Sequence, residues 1–127
     1  AYRTPLKNWL NDTARMGRRY SDSEINDLRN KWENALEVAL IWFNEAECFR
    51  RPGGRAINRA LFDLIMYTAT NTPPEIAADR RVSFLETFNK MLSNEEFIDL
   101  ISRSVDHKKR TERRFEMWNK AMEEIHL

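Results

Sequence analysis

Asn58-Arg59-Ala60-Leu61-Phe62-Asp63-Leu64-Ile65-Met66-Tyr67-Thr68-Ala69-Thr70 is the stretch on which the fold turns. Leu61, Phe62, Leu64, Ile65, Met66 and Ala69 spread over a wider arc than a surface helix needs, and they lack the strict alternation of a half-buried strand. A helix from about Asn58 to Thr70 is therefore expected at the centre of a helical packing. Asn71-Thr72-Pro73-Pro74 closes it, because proline lacks an N–H and restricts the residue before it.

On the N-terminal side, Cys48-Phe49-Arg50-Arg51-Pro52-Gly53-Gly54-Arg55 holds two of the three glycines and one of the four prolines, so a preceding helix should stop near Arg50. That helix is announced by Ser21-Asp22-Ser23-Glu24, a capping-box pattern. Ile25, Leu28, Trp32, Ala35, Leu36, Ala39 and Phe43 form its apolar stripe, opposite Asn26, Lys31, Glu33 and Glu37. Earlier still, Pro5 with Leu6, Trp9 and Leu10 reads as a short first helix that ends before Gly17.

On the C-terminal side, a fourth helix should begin at about Pro74 or Arg80 and run to Leu92, with Leu85, Phe88 and Leu92 on one face. Ser93-Asn94-Glu95-Glu96 repeats the capping-box pattern before a short helix with Phe97, Leu100 and Ile101 inward. Asp106 is placed to cap a last helix from about His107 to Ile125, striped by Phe115, Trp118, Met122 and Ile125. These patterns predict one all-α domain over residues 1–127, a bundle of five or six helices with mostly antiparallel neighbours.

The chain has 127 residues, 42% apolar and 11% aromatic, and each buried Phe or Trp removes roughly 150–250 Å² from water, so a substantial core is attainable. Trp32, Trp42, Phe62 and Met66 are expected in it. The one cysteine, Cys48, reads as a buried small hydrophobe; it can form no internal disulfide, which fits a reducing compartment such as the cytosol. The longest apolar run, Ala39 to Phe43, is far short of the roughly 18 residues a membrane span requires. The chain begins without Met and enters a helix-like pattern almost at once, which suggests a piece of a longer protein.

Two histidines, His107 and His126, lie near the last helix, and no metal-ligand spacing, phosphate-binding glycine loop or nucleophile elbow is present. No catalytic residue, cofactor or metal is expected in this chain. Charge carries more. Although 21 basic side chains nearly balance 20 acidic ones, they are segregated. Residues 22–47 hold seven acids against two bases, residues 50–59 four arginines and no acid, and residues 103–114 six bases against two acids.

If packing joins the two basic stretches, Arg50, Arg51, Arg55, Arg59, Lys108, Lys109, Arg110, Arg113 and Arg114 would form a phosphate-binding surface for DNA. Other readings stand beside this one. Arg50, Arg51 and Arg55 could instead answer the acidic stretch or the end of the helix before them. Lys108 to Arg114 could be a solvated helix face, mildly unfavourable against the helix dipole.

Phe49-Arg50-Arg51-Pro52, then Ile57-Asn58-Arg59-Ala60-Leu61-Phe62-Asp63-Leu64-Ile65-Met66, then Glu96-Phe97-Ile98, then Arg113-Arg114-Phe115 resembles the helical region of the GmrSD-type, ParB-like nuclease family over about residues 24–125. In that bacterial family, linked to restriction and anti-phage defence, these motifs follow a nucleotide-binding ParB/sulfiredoxin-like domain. The family's Asp-Gly-Gln-Gln-Arg signature has no match here, nor does a His-Asn-His motif. The resemblance thus implies that nucleotide hydrolysis and DNA cleavage belong to other parts of a parent protein. This chain would supply a scaffold held by Phe49, Phe62 and Phe115, and a basic surface for DNA or for the neighbouring nucleotide-binding domain. The competing expectation is a protein-docking helical module whose charges serve only solubility and internal pairing.

Overall fold

A helix apolar on most of its circumference must be covered on several sides, and the computed structural model, which describes residues 22–51 and 53–127, shows how. Its helices are α1 (Asp22–Trp42), α2 (Arg59–Thr70), α3 (Pro74–Asp79), α4 (Arg81–Leu92), α5 (Glu95–Ser102) and α6 (Lys108–Ile125). The described residues contain no strand, and no helix among them is long and apolar enough to cross a membrane. Eight of the twelve residues of α2 are buried, from Ala60 to Ala69, and the helix packs against α1 and α5. The all-α architecture is the one the periodicities predict. The first helix expected behind Pro5 lies outside the described residues, as does Ser21.

The core is an aromatic column. The Trp42 and Phe84 rings stack at 3.9 Å and 8°, and Phe84 meets Trp118 edge-on at 6.1 Å. Trp118 in turn lies 6.4 Å from Phe97, so α1, α4, α6 and α5 are joined through four fully buried rings. Both indoles satisfy their N–H inside. Trp42 Nε1 donates to the Ala77 carbonyl at 3.1 Å, and Trp118 Nε1 donates to Thr68 Oγ1 at 2.7 Å.

Helix α1 stops at Trp42, eight residues before the position predicted from Pro52 and the glycines. Asn44 ends it. Its Oδ1 accepts the Glu47 N–H at 2.8 Å and its carbonyl accepts the Cys48 N–H at 2.9 Å, a local turn that competes with helical bonding. Phe49 then takes a left-handed φ of 63°, and its ring packs against Phe62 at 4.7 Å. Cys48 is buried, as expected. The stripe of α1 also includes Val38, which is fully buried, whereas Trp32 is only half-buried.

The single helix expected between Pro74 and Leu92 is two, α3 and α4, with the break at Arg80. Pro74 serves as a first helical residue of α3, and Arg81 Nε donates to the Ile41 carbonyl at 2.9 Å, which ties the start of α4 to the end of α1. Asn58 caps α2 by accepting from the Leu61 N–H at 3.0 Å. Asn94, rather than Ser93, caps α5 by accepting from the Phe97 N–H at 3.1 Å, while the Ser93 hydroxyl donates back to the Lys90 carbonyl. Asp106 does not cap α6; His107 is the cap residue and makes no side-chain cap bond.

Candidate functional site

The two basic stretches meet at one corner, where the 50–58 loop lies beside the turn between α5 and α6. Arg51 Nη1 donates to Ser102 Oγ at 3.2 Å, and Arg59 is ion-paired with Asp106. Convergence does not leave all nine side chains available. Arg50 is a strap, with Nε on the Arg55 carbonyl at 3.0 Å and Nη1 on the carbonyls of Glu45 and Cys48. Arg110 Nη2 holds both the carbonyl and the carboxylate of Asp99, at 2.7 and 2.8 Å. Arg113 donates to Glu96 Oε1 through Nε and Nη2 and to Glu116 through Nη1, so these carboxylates keep it protonated more firmly than usual.

Arg51, Arg55, Lys108 and Lys109 remain exposed. The two lysines occupy the start of α6, whose first turn holds no acid and whose cap residue, His107, makes no side-chain cap bond. Positive charge at a helix N-terminus opposes the dipole by a few tenths of a kcal/mol per residue, so Lys108 and Lys109 add positive charge at an end that is already positive.

Arg114 stands apart from the other eight. It is only 3% exposed, its Nε and Nη1 hydrogens meet no acceptor, and it forms no ion pair among the described residues. Burial pushes its pKa down, against the nearby Asp63 carboxylate, which raises it. Burial likewise pushes the Asp63 carboxyl up, against Arg59 and Arg114, which lower it. An unsatisfied guanidinium in the interior is costly, and this one sits on the buried face of α6.

Asp63 and Lys31 line a cleft of about 410 Å³ between α1, α2 and α6, whose walls include Leu28, Trp32, Phe62, Met66, Tyr67 and Phe115. The Trp32 and Phe62 rings lie 6.0 Å apart, and Tyr67 meets Phe115 edge-on at 5.6 Å and 86°. Tyr67 is 52% exposed. A larger cleft, about 530 Å³, opens between the 50–54 loop and α4, but there Arg50 is already committed to carbonyls.

Charge counting along the chain could find the basic corner, since it needs only two runs of sequence. It could not find the aromatic cleft. Trp32, Phe62 and Met66 have core spacing, and only packing shows that Trp32 is left half-covered beside a carboxylate. No family model, curated protein or solved structure matches the chain.

Proposed function

We propose that this chain is the helical accessory region of a GmrSD-type, ParB-like restriction or anti-phage defence protein, has no catalytic residue of its own, and presents a basic corner to nucleic-acid phosphates. The observation that carries the phosphate reading is the entirely basic first turn of α6, Lys108-Lys109-Arg110, at an N-terminus without a side-chain cap. Lys108 and Lys109 act as point charges there, joined by Arg51 and Arg55 from the adjacent loop. Arg50, Arg110 and Arg113 hold the corner in shape by bonding carbonyls and carboxylates rather than phosphate. The parent assignment rests on the order and spacing of the four motifs. Three of them sit at structural joints: Phe49-Arg50 in the turn after α1, Asn58 to Asp63 at the start of α2, and Glu96-Phe97 at the start of α5. The neighbouring nucleotide-binding domain is the partner expected in the same protein.

Fluorescence anisotropy with a labelled DNA duplex at 50 and 200 mM salt tests the reading. Binding should weaken steeply with salt, and the Lys108→Glu/Lys109→Glu variant should lower the log–log salt slope by about 2, roughly 0.9 per lost phosphate contact. Absence of binding at the lower salt would refute it.

A docking module is favoured instead by one observation: Leu40, Ile76 and Val82, on α1, α3 and α4, are 42%, 38% and 66% exposed. Light scattering separates the two readings, because a docking module assembles with a partner domain without nucleic acid.

A further inference from the structure

The cleft between α1, α2 and α6 brings four rings and two opposite charges to one small volume. Trp32, Phe62, Tyr67 and Phe115 make its walls mainly apolar and aromatic, and its volume of about 410 Å³ suits a small molecule. Asp63 lines it from α2 and Lys31 from α1. Asp63 is half-buried and makes no ion pair among the described residues, while Lys31 is exposed. Arg59 and Arg114, which act on Asp63 electrostatically, do not line the cleft, and Arg59 is ion-paired with Asp106. A ligand seated there therefore meets one carboxylate and one ammonium. A lone anion would be repelled by Asp63, a lone cation by Lys31, and a neutral apolar body would strip water from Asp63 without replacing it. A zwitterion answers both charges. An unmethylated ammonium brings N–H donors that ring faces satisfy poorly. A trimethylated one has no donor to satisfy, and its methyl groups pack on rings that also attract its charge.

We propose that this cleft binds a small zwitterion built on a trimethylammonium group, with the cation seated among the Trp32, Phe62, Tyr67 and Phe115 rings beside Asp63 and the anionic end paired with Lys31. Tyr67 and Phe115 stand at 86° to one another, so they offer a corner rather than a flat stack, and Trp32 tilts 40° from Phe62. The anionic end can be a carboxylate, as in glycine betaine, or a phosphate, as in phosphocholine. The site is separate from the basic corner and does not depend on it.

The test is an NMR titration of the full 127-residue chain, followed at the Trp32 indole, with glycine betaine, phosphocholine, choline and 3,3-dimethylbutanoate, in which carbon replaces the betaine nitrogen. Betaine should bind about tenfold tighter than 3,3-dimethylbutanoate, the scale of a desolvated cation on aromatic faces, and about threefold tighter than choline, the scale of an exposed ion pair. Whichever of betaine and phosphocholine binds more tightly assigns the anionic end. Lys31→Gln should remove the advantage of betaine over choline and keep that over 3,3-dimethylbutanoate. Asp63→Asn should weaken betaine and choline alike, and Tyr67→Ala, a change at an exposed side chain, should weaken both with the melting curve preserved. Lys108→Glu/Lys109→Glu should leave these affinities unchanged, so that failure of the corner and failure of the cleft read differently. Equal affinity for betaine and 3,3-dimethylbutanoate in the unmodified chain, an advantage that survives Asp63→Asn undiminished, or no betaine-induced shift at Trp32 would overturn the proposal.

Discussion

Arg114 is the residue whose physics is least settled by its surroundings. A buried guanidinium with two unsatisfied nitrogens costs about 1–3 kcal/mol, and a similar-length apolar side chain avoids that penalty. Arg114→Met should therefore raise unfolding free energy by about 1 kcal/mol or more, read from urea denaturation. A loss of stability would show that the guanidinium finds partners in solution. Cys48 gives a second prediction at this scale. Burial pushes its thiol up to about 11, against the lowering effect of Arg50, from an ordinary value of 9.0. The unfolded chain thus loses that proton first as pH rises, and stability owed to the neutral thiol is complete below pH 9 and declines between 9 and about 11. The difference in melting temperature between the unmodified chain and Cys48→Ala should follow this window and stay flat below it.

At the scale of the element, caps and turns decide where each helix begins and ends. Asn94→Ala removes one cap bond to α5 and should cost about 1 kcal/mol. Asn58→Ala should cost more, about 2 kcal/mol, because the same amide also donates to the Ile101 carbonyl at 3.0 Å and so joins α2 to α5. Urea denaturation of the two variants checks the order, and equal losses would contradict the bridging role. The apolar arc of α2 was legible because a stripe is a local pattern, and it put the helix start near Asn58 without marking that side chain as the cap. The end of α1 was not. Pro52 and the glycines are the loudest breakers in that region, but Asn44 acts first through its own side chain, and the Trp42 indole is drawn to Ala77, 35 residues away. The break at Arg80 was hidden for a similar reason: no glycine or proline marks it, and the chain bends there so that α3 and α4 can both contact α1.

Across the whole molecule, charge segregation in the sequence becomes a division of labour in space. Counting charges locates both arginine-rich runs, and packing brings them to one corner through Arg51 and Ser102 and through Arg59 and Asp106. Counting cannot distinguish a cation that grips a carbonyl from one that faces water. Arg110 and Arg113 lie in the same run as Lys108 and Lys109, yet helical spacing turns the arginines toward Asp99 and Glu96 on α5 and leaves the lysines exposed. The aromatic cleft escaped the sequence because its rings come from three helices, and its carboxylate belongs to a helix that otherwise reads as pure core.

The proposed division between structural arginines and phosphate-binding lysines is tested most directly by measuring DNA affinity and melting temperature together on two charge reversals. Lys108→Glu/Lys109→Glu should weaken duplex binding at 50 mM salt by tenfold or more, on the order of 1.4 kcal/mol, with the melting temperature unchanged or raised by relief at the helix N-terminus. Arg113→Glu should lower the melting temperature through the loss of its bonds to Glu96 and change the affinity far less. The opposite pattern, with binding lost on reversal of Arg113 and retained on reversal of the lysines, would contradict the account.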